Sequence, residues 1–209
     1  MVVTLLQLRT RIRTEINKPS TSYEEFIDDA IRSAILFYGS SRFWFLEDSD
    51  VLTLATSGTF IDLPDDFNLP VQLRISVNSR WIGHQTGFKH VTHDELKESA
   101  TDAAATGSPC AWALFGNRVY VDRISDQTYT LDLSYIRKDV TLPEADSDTS
   151  IWFDEGRDVI RLKAMEYFYR DRLHAFEIAE RYEARAKTAS DALTSQHNQR
   201  QLTAGILRG

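Results

Sequence analysis

Apolar residues recur at helical spacing near both ends of the chain, with polar residues at the positions between them. This pattern predicts amphipathic helices over about residues 5–16, 23–38, 155–173 and 176–197. Thr4 with Gln7, and Ser22 with Glu25, have the spacing of a capping box, which gives the first two helices defined starts. Neither pair of helices can cover its own apolar stripes, so we expect the N-terminal and C-terminal helices to pack together.

Between these helices the spacing of apolar residues changes to two, as it does in strands that bury one face. Gly58 and the Gly116-Asn117 pair supply turns between the alternating segments. The middle of the chain is therefore predicted to be an antiparallel meander of roughly six strands, between about residues 51 and 136.

Together these patterns predict an α+β fold in which an antiparallel β-sheet unit is inserted into a helical bundle. Residues 1–50 and 150–194 are expected to form the bundle, and residues 51–149 the inserted unit. Residues 195–209 lack a strong period, so they are expected to be an extended C-terminal tail when the chain is alone.

Composition and charge exclude several classes of protein. The net charge of −7 argues against a general nucleic-acid binder, which needs a clustered basic face. A single cysteine cannot form an internal disulfide or a cysteine-built zinc site. No apolar run reaches the roughly 18 residues that span a membrane, and the simplest expectation is a protein folded in reducing cytoplasm.

Few residues could carry catalysis. His90 and His93, with His84 nearby, lie where a strand meets a helix, and we interpret them as exposed loop histidines. Paired acids recur at helix starts, on polar helix faces and in turns, where carboxylates are normally solvated. Cys110 follows a proline at the start of a strand, so a buried or half-buried thiol is expected. We therefore assign no catalytic, cofactor-binding or metal-binding residue.

Aromatic residues cluster where the helices are expected to meet. Trp44 and Phe45 follow the second helix, and Trp152 and Phe153 open the C-terminal helices. Such clusters usually belong to the core, but aromatic residues also anchor contacts between proteins. These four residues are therefore candidates for contacts between subunits, with the core as the alternative.

Four segments, taken in order, resemble the head-to-tail adaptor (connector) proteins of tailed bacteriophages. They are the aromatic run of residues 38–46, the strand and turn of residues 59–67, the Gly-Ser-Pro and hairpin of residues 107–121, and residues 136–152 with their acidic loop. The resemblance covers about residues 4–193. The chain departs from the family at residues 121–126, where Val-Asp-Arg-Ile-Ser-Asp replaces the usual Tyr-Pro-x-Pro.

The resemblance implies a structural protein of the virion neck, made in the host cytoplasm, and not an enzyme. It implies a dodecameric ring of copies below the portal protein, joined to a downstream tail or neck protein. Genome DNA would pass through the lumen without sequence-specific binding. The C-terminal segment would dock on the portal, and the candidate docking residues are Arg200, Leu202, Ile206, Leu207 and Arg208.

Two other classes of function remain open from the residues alone. A soluble carbohydrate- or protein-binding module would need exposed aromatic side chains on one sheet face, such as Trp81 with Trp112 or Tyr120. An enzyme would need a pocket that the sequence does not assemble.

Overall fold

The structure is a computed structural model that describes residues 3–17, 21–99 and 105–206 of the chain. Its α-helices are α1 (Leu5–Glu15), α2 (Glu24–Tyr38), α3 (His93–Ser99), α4 (Ile151–Asp154), α5 (Arg157–Tyr167) and α6 (Phe176–Ile206). Its strands are β1 (Glu47–Leu54), β2 (Phe60–Asp62), β3 (Phe67–Val77), β4 (Arg80–Ile82), β5 (Lys89–His90), β6 (Ala111–Phe115), β7 (Arg118–Val121) and β8 (Tyr129–Arg137). The predicted α+β class is confirmed.

The chain divides into two compact units. A helical unit contains residues 1–46 and 139–209, and a sheet unit contains residues 47–138. Helices from both ends of the sequence therefore share one unit, while the described strands belong to the other.

α5 lies at the centre of the helical unit, in contact with α1, α2 and α6. Its residues from Val159 to Glu166 are all buried, because neighbours cover it on every side. The structure corrects the single helix expected over residues 155–173. Gly156 separates α4 from α5, and a π-helical turn, Phe168–Arg172, follows α5.

The starts of the two N-terminal helices differ in how they are capped. Thr4 forms the predicted capping box at α1, and the amide of Leu5 also donates to the backbone oxygen of Asp148. α2 begins one residue later than predicted, with Tyr23 in place of Ser22 at its N-cap. A short 3₁₀ turn over residues 21–23 precedes it and moves the start of the regular helix.

α6 extends far beyond its predicted end. We expected an extended tail from residue 195, but the helix continues to Ile206. Ala186 and His197 are 1% exposed, so a buried stripe continues after Leu193 along the helix. The sequence conceals this stripe because a polar histidine occupies a buried position. The prediction of an extended tail over residues 195–209 is therefore wrong as far as Ile206. Residues 207–209 lie outside the described part of the chain.

The sheet unit contains two four-stranded sheets, with strand orders β1-β8-β3-β4 and β2-β7-β6-β5. The predicted hairpin at Gly116-Asn117 joins β6 to β7 and is confirmed. The predicted meander is wrong, because the first strand of the unit pairs with the last, Glu47 opposite Ile136. Alternation of apolar residues defines which face of a strand is buried, but not which strand lies beside it.

One strand pair in this unit is parallel, although we expected only antiparallel pairs. β5 and β6 align in parallel over two residues each, with α3 between them in sequence. The apolar faces of both sheets meet in one cluster of buried residues. It includes Leu54, Ile75 and Leu131 from the first sheet and Val119 from the second. This shared core holds the two sheets together.

Candidate interaction surfaces

Three of the candidate inter-subunit aromatics lie in the core of the helical unit. Trp152 and Phe153 are 0% exposed, and Phe45 is 8% exposed. The ring of Phe45 lies 5.4 Å from that of Phe43 and 5.2 Å from that of Trp152. The indole N–H of Trp152 donates to the backbone oxygen of Asp139 at 3.2 Å. The core alternative therefore applies to these three side chains, since their contacts are already made inside the chain.

The fourth aromatic, Trp44, is partly exposed and lies beside the end of α6. The guanidinium of Arg200 is 3.7 Å from the centre of the Trp44 ring, which is a close cation–π contact. Arg200 was expected to belong to a free docking tail, but the structure brings it against this ring. The two residues are far apart in sequence, and nothing in their local patterns signals the contact.

The other candidate docking residues follow Arg200. Leu202 and Ile206 lie in the last turns of α6, while Leu207 and Arg208 lie outside the described residues. Between residues 194 and 200, the described side chains are exposed apart from that of His197. The stretch of α6 from residue 194 to residue 200 thus presents most of its circumference to solvent.

α2 exposes two neighbouring apolar residues, Leu36 and Phe37, which are 53% and 58% exposed and which we call the α2 patch. The ammonium of Lys163 lies 4.2 Å from the centre of the Phe37 ring and 4.8 Å from that of Tyr167. It also donates to a carboxylate oxygen of Glu166 at 2.8 Å. Phe37 therefore covers a buried charge and is held by contacts from beneath.

Buried charges extend behind the α2 patch. Glu166 is 0% exposed and pairs with Lys163 and with Arg170, each at 2.8 Å. Arg170 also pairs with exposed Glu183 at 3.0 Å. Burial, with the negative charge of Glu166, raises the pKa of nearby Tyr38 to about 12. The network fixes α5 against its neighbours beneath the patch.

The first turn of α6 carries a second exposed apolar pair. Phe176 and Ile178 are 59% and 39% exposed, but because they are two positions apart they face different sides of the helix and do not form one patch. Exposed carboxylates of Glu177 and Glu180 lie in the same part of the helix. The sequence pattern predicts neither the exposed α2 patch nor these two exposed residues of α6. A usable signal existed for Leu36, which falls outside the buried stripe of α2.

The aromatic platform required by a binding module does not form as expected. Trp112 is 6% exposed and belongs to the core cluster. Trp81 is 47% exposed, but it lies on β4 in the other sheet from Trp112 and Tyr120. A groove of about 410 Å³ does occur beside Tyr120, where Phe115 and His93 stack at 4.4 Å.

The histidines and the cysteine are arranged without convergence on one point. The ring of His90 lies tilted against that of Trp112, with their centres 4.3 Å apart, and the backbone N–H of His90 donates to His84 Nδ1 at 3.4 Å. The expected buried or half-buried thiol of Cys110 is wrong, because this residue is exposed. Its backbone N–H donates to the carboxylate of Asp122 at 2.8 Å.

Among residues 3–17, 21–99 and 105–206, no group of three or more histidine, cysteine or acidic residues could hold a metal ion. In the same part of the chain, no helix combines the length and the apolar character needed to cross a membrane.

Comparison with known proteins identifies a family. A comparison with curated proteins gives no match. The sequence model of the family described as SU10 adaptor protein matches residues 3–208, nearly the whole chain. The chain therefore belongs to the SU10 adaptor family, a family of phage head-to-tail adaptors.

Proposed function

We propose that the chain is a structural virion protein that assembles as a ring below the portal and joins the head to the tail. The match to the adaptor family over residues 3–208 is the observation that carries this proposal. The dodecamer implied by the sequence resemblance is the proposed stoichiometry. A net charge of −7 favours a lumen that lets DNA pass, because like charges disfavour binding.

The proposed portal contact is the C-terminal end of α6. Arg200 is held against Trp44, so the docking segment begins after it. Leu202, Ile206 and Leu207 would supply apolar anchors, while Arg208 would steer the approach to an acidic portal surface. The downstream tail or neck protein would bind elsewhere on the ring.

Truncation after Arg200 tests this docking segment. The shortened chain retains His197 and the contact between Arg200 and Trp44. We expect its circular dichroism melting temperature to change by less than about 4 °C, because the buried stripe remains. Attachment to portal-bearing heads, measured by cosedimentation, should be lost.

A matched control replaces residues 201–209 with the same residues in scrambled order, which keeps length and charge. This control should also fail to attach, because scrambling moves the apolar anchors out of the positions that the proposed contact requires. Normal attachment of the truncated chain would show that the docking surface lies elsewhere.

The ring itself is tested by measuring mass in solution. The chain is mixed with purified portal protein, and the mass of the complex is compared with that of each component. We expect many copies of the chain in each complex with a whole portal assembly. A complex that holds a single copy of the chain per portal assembly would contradict the ring.

A further inference from the structure

The later part of α6 is held to the helical unit along one side. Among the described side chains of residues 194–200, that of His197 is the buried one. Partly buried Leu193, His197 and Arg200 are spaced by four and then three residues, so they lie along the same side of the helix. That side faces the short 3₁₀ turn Trp44–Leu46, which α6 contacts. Because helix ends fray in water without tertiary contacts, this side has to keep the end of α6 in place.

The ring of Trp44 is itself fixed to the core of the helical unit. It packs edge-on against Phe45, with the ring centres 5.7 Å apart, and Phe45 packs edge-on against Trp152 at 5.2 Å. Phe45 and Trp152 are both buried. The guanidinium of Arg200 therefore lies 3.7 Å from the centre of a ring that is already held in position. Tryptophan gives the strongest cation–π contacts of the aromatic residues.

The contact between Arg200 and Trp44 also determines how the end of α6 is rotated about its axis. At 3.6 residues per turn, successive positions are about 100° apart around the helix. Positions 202 and 206 of the helix then lie about 200° and 240° from position 200, on the side away from Trp44. These are the positions of two of the proposed apolar anchors for the portal.

We propose that Trp44 is a positioning residue for docking on the portal. Its ring holds Arg200, and this contact keeps the last turns of α6 helical with positions 202 and 206 turned toward the portal. A segment that already has its bound conformation binds more tightly than one that adopts this conformation only part of the time. The inference rests on the proposed docking of the C-terminal end of α6 and adds a residue that lies far from that end in the sequence.

Hydrogen exchange of the free protein tests the positioning without any portal. Trp44→Leu removes the aromatic ring, so the backbone amides of residues 198–206 should exchange about two- to thirtyfold faster, as loss of a cation–π contact allows. The amides of residues 180–189 should keep their protection. Trp44→Phe keeps a weaker aromatic face and should give an intermediate result. Unchanged exchange over residues 198–206 in Trp44→Leu would overturn the proposal.

Attachment to portal-bearing heads provides a second measurement. Trp44→Leu and Arg200→Gln should each weaken attachment by about two- to thirtyfold, in a titration followed by cosedimentation. The double variant should attach about as well as either single variant, because both substitutions break the same contact. Losses that add up in the double variant would show that the two residues act separately, which would also overturn the proposal.

Phe26→Leu is the matched control. Arg172 lies 3.8 Å from the centre of the Phe26 ring, so this variant removes a cation–π contact of similar length elsewhere in the helical unit. Its attachment, and its exchange over residues 198–206, should match those of the wild type. Equal weakening by Phe26→Leu and Trp44→Leu would show a general loss of stability and would refute the positioning role. Normal attachment of the chain truncated after Arg200 would contradict the proposed docking segment itself. Hydrogen exchange of the free protein distinguishes that failure from failure of the Arg200–Trp44 contact.

Discussion

Gly39 ends α2 at a point where another part of the chain passes very close. A Cβ atom there would lie 2.6 Å from Cγ1 of Val140 and 2.8 Å from the backbone oxygen of Asp139. That oxygen also accepts from Trp152, so it cannot move away easily. We expect Gly39→Ala to lower the free energy of unfolding by about 1–3 kcal/mol, which is the usual cost of overpacking. Urea denaturation measures this change.

Gly83 provides a matched control for this substitution. A Cβ atom there would be 3.5 Å from Cγ of Arg74, an ordinary contact distance. Gly83→Ala should therefore change the free energy of unfolding by less than about 1 kcal/mol. Equal free energies of unfolding for the two variants would show that Val140 and Asp139 can move aside to make room for a Cβ atom at Gly39.

Glu166 is the fully buried acid of the helical unit's ion network. Glu166→Gln would leave the Lys163 ammonium, 8% exposed, without its ion-pair partner. We expect a loss of about 3 kcal/mol in the free energy of unfolding, because an uncompensated charge stays buried. Glu183→Gln removes an exposed partner of Arg170 and should cost below about 1 kcal/mol. Similar losses in the two variants would refute the importance of burial.

At the scale of elements, β1 is an edge strand whose first five residues are exposed. The carboxylates of Asp48 and Asp50 accept the backbone N–H groups of Ser49 and Val51, at 2.8 and 2.7 Å. These side chains occupy donors that another strand would otherwise use. Charge at an edge also opposes strand pairing between molecules.

Asp48→Ala with Asp50→Ala should therefore promote self-association through this edge. Light scattering at rising protein concentration would measure it, with more scattering expected than for the wild type. Asp65→Ala with Asp94→Ala removes the same charge from other exposed positions and serves as the control. Equal scattering by both double variants would indicate a general effect of charge.

Local periodicity predicted the helices and most strands, because each pattern reports which face of an element is buried. It could not predict the end of α6, since His197 interrupts the apolar stripe while lying buried. It also could not predict that β1 pairs with β8, because pairing depends on where distant strands meet. The π-helical turn after α5 has no periodic signature in the sequence either.

At the scale of the whole molecule, the order of sequence segments was enough to indicate the family. The exposed surfaces that could bind a partner could be identified only from the structure. Of the aromatics chosen from the sequence, Trp152 and Phe153 proved to be core. Phe37 is exposed, although it adjoins the same aromatic stretch. The sequence does not distinguish buried from exposed aromatic residues in this stretch, because both kinds occur side by side in it.

The pairing of Glu47 with Ile136 has a consequence for how such a protein can change. Glu47 begins the sheet unit and lies opposite Ile136, two residues before the unit ends, and the Cα atoms of such antiparallel partners are about 5 Å apart. To the rest of the chain, residues 47–138 thus amount to a short loop of fixed span. A different insert whose two ends lie equally close together could replace these residues by recombination. The residues that form the helical unit would then be unchanged.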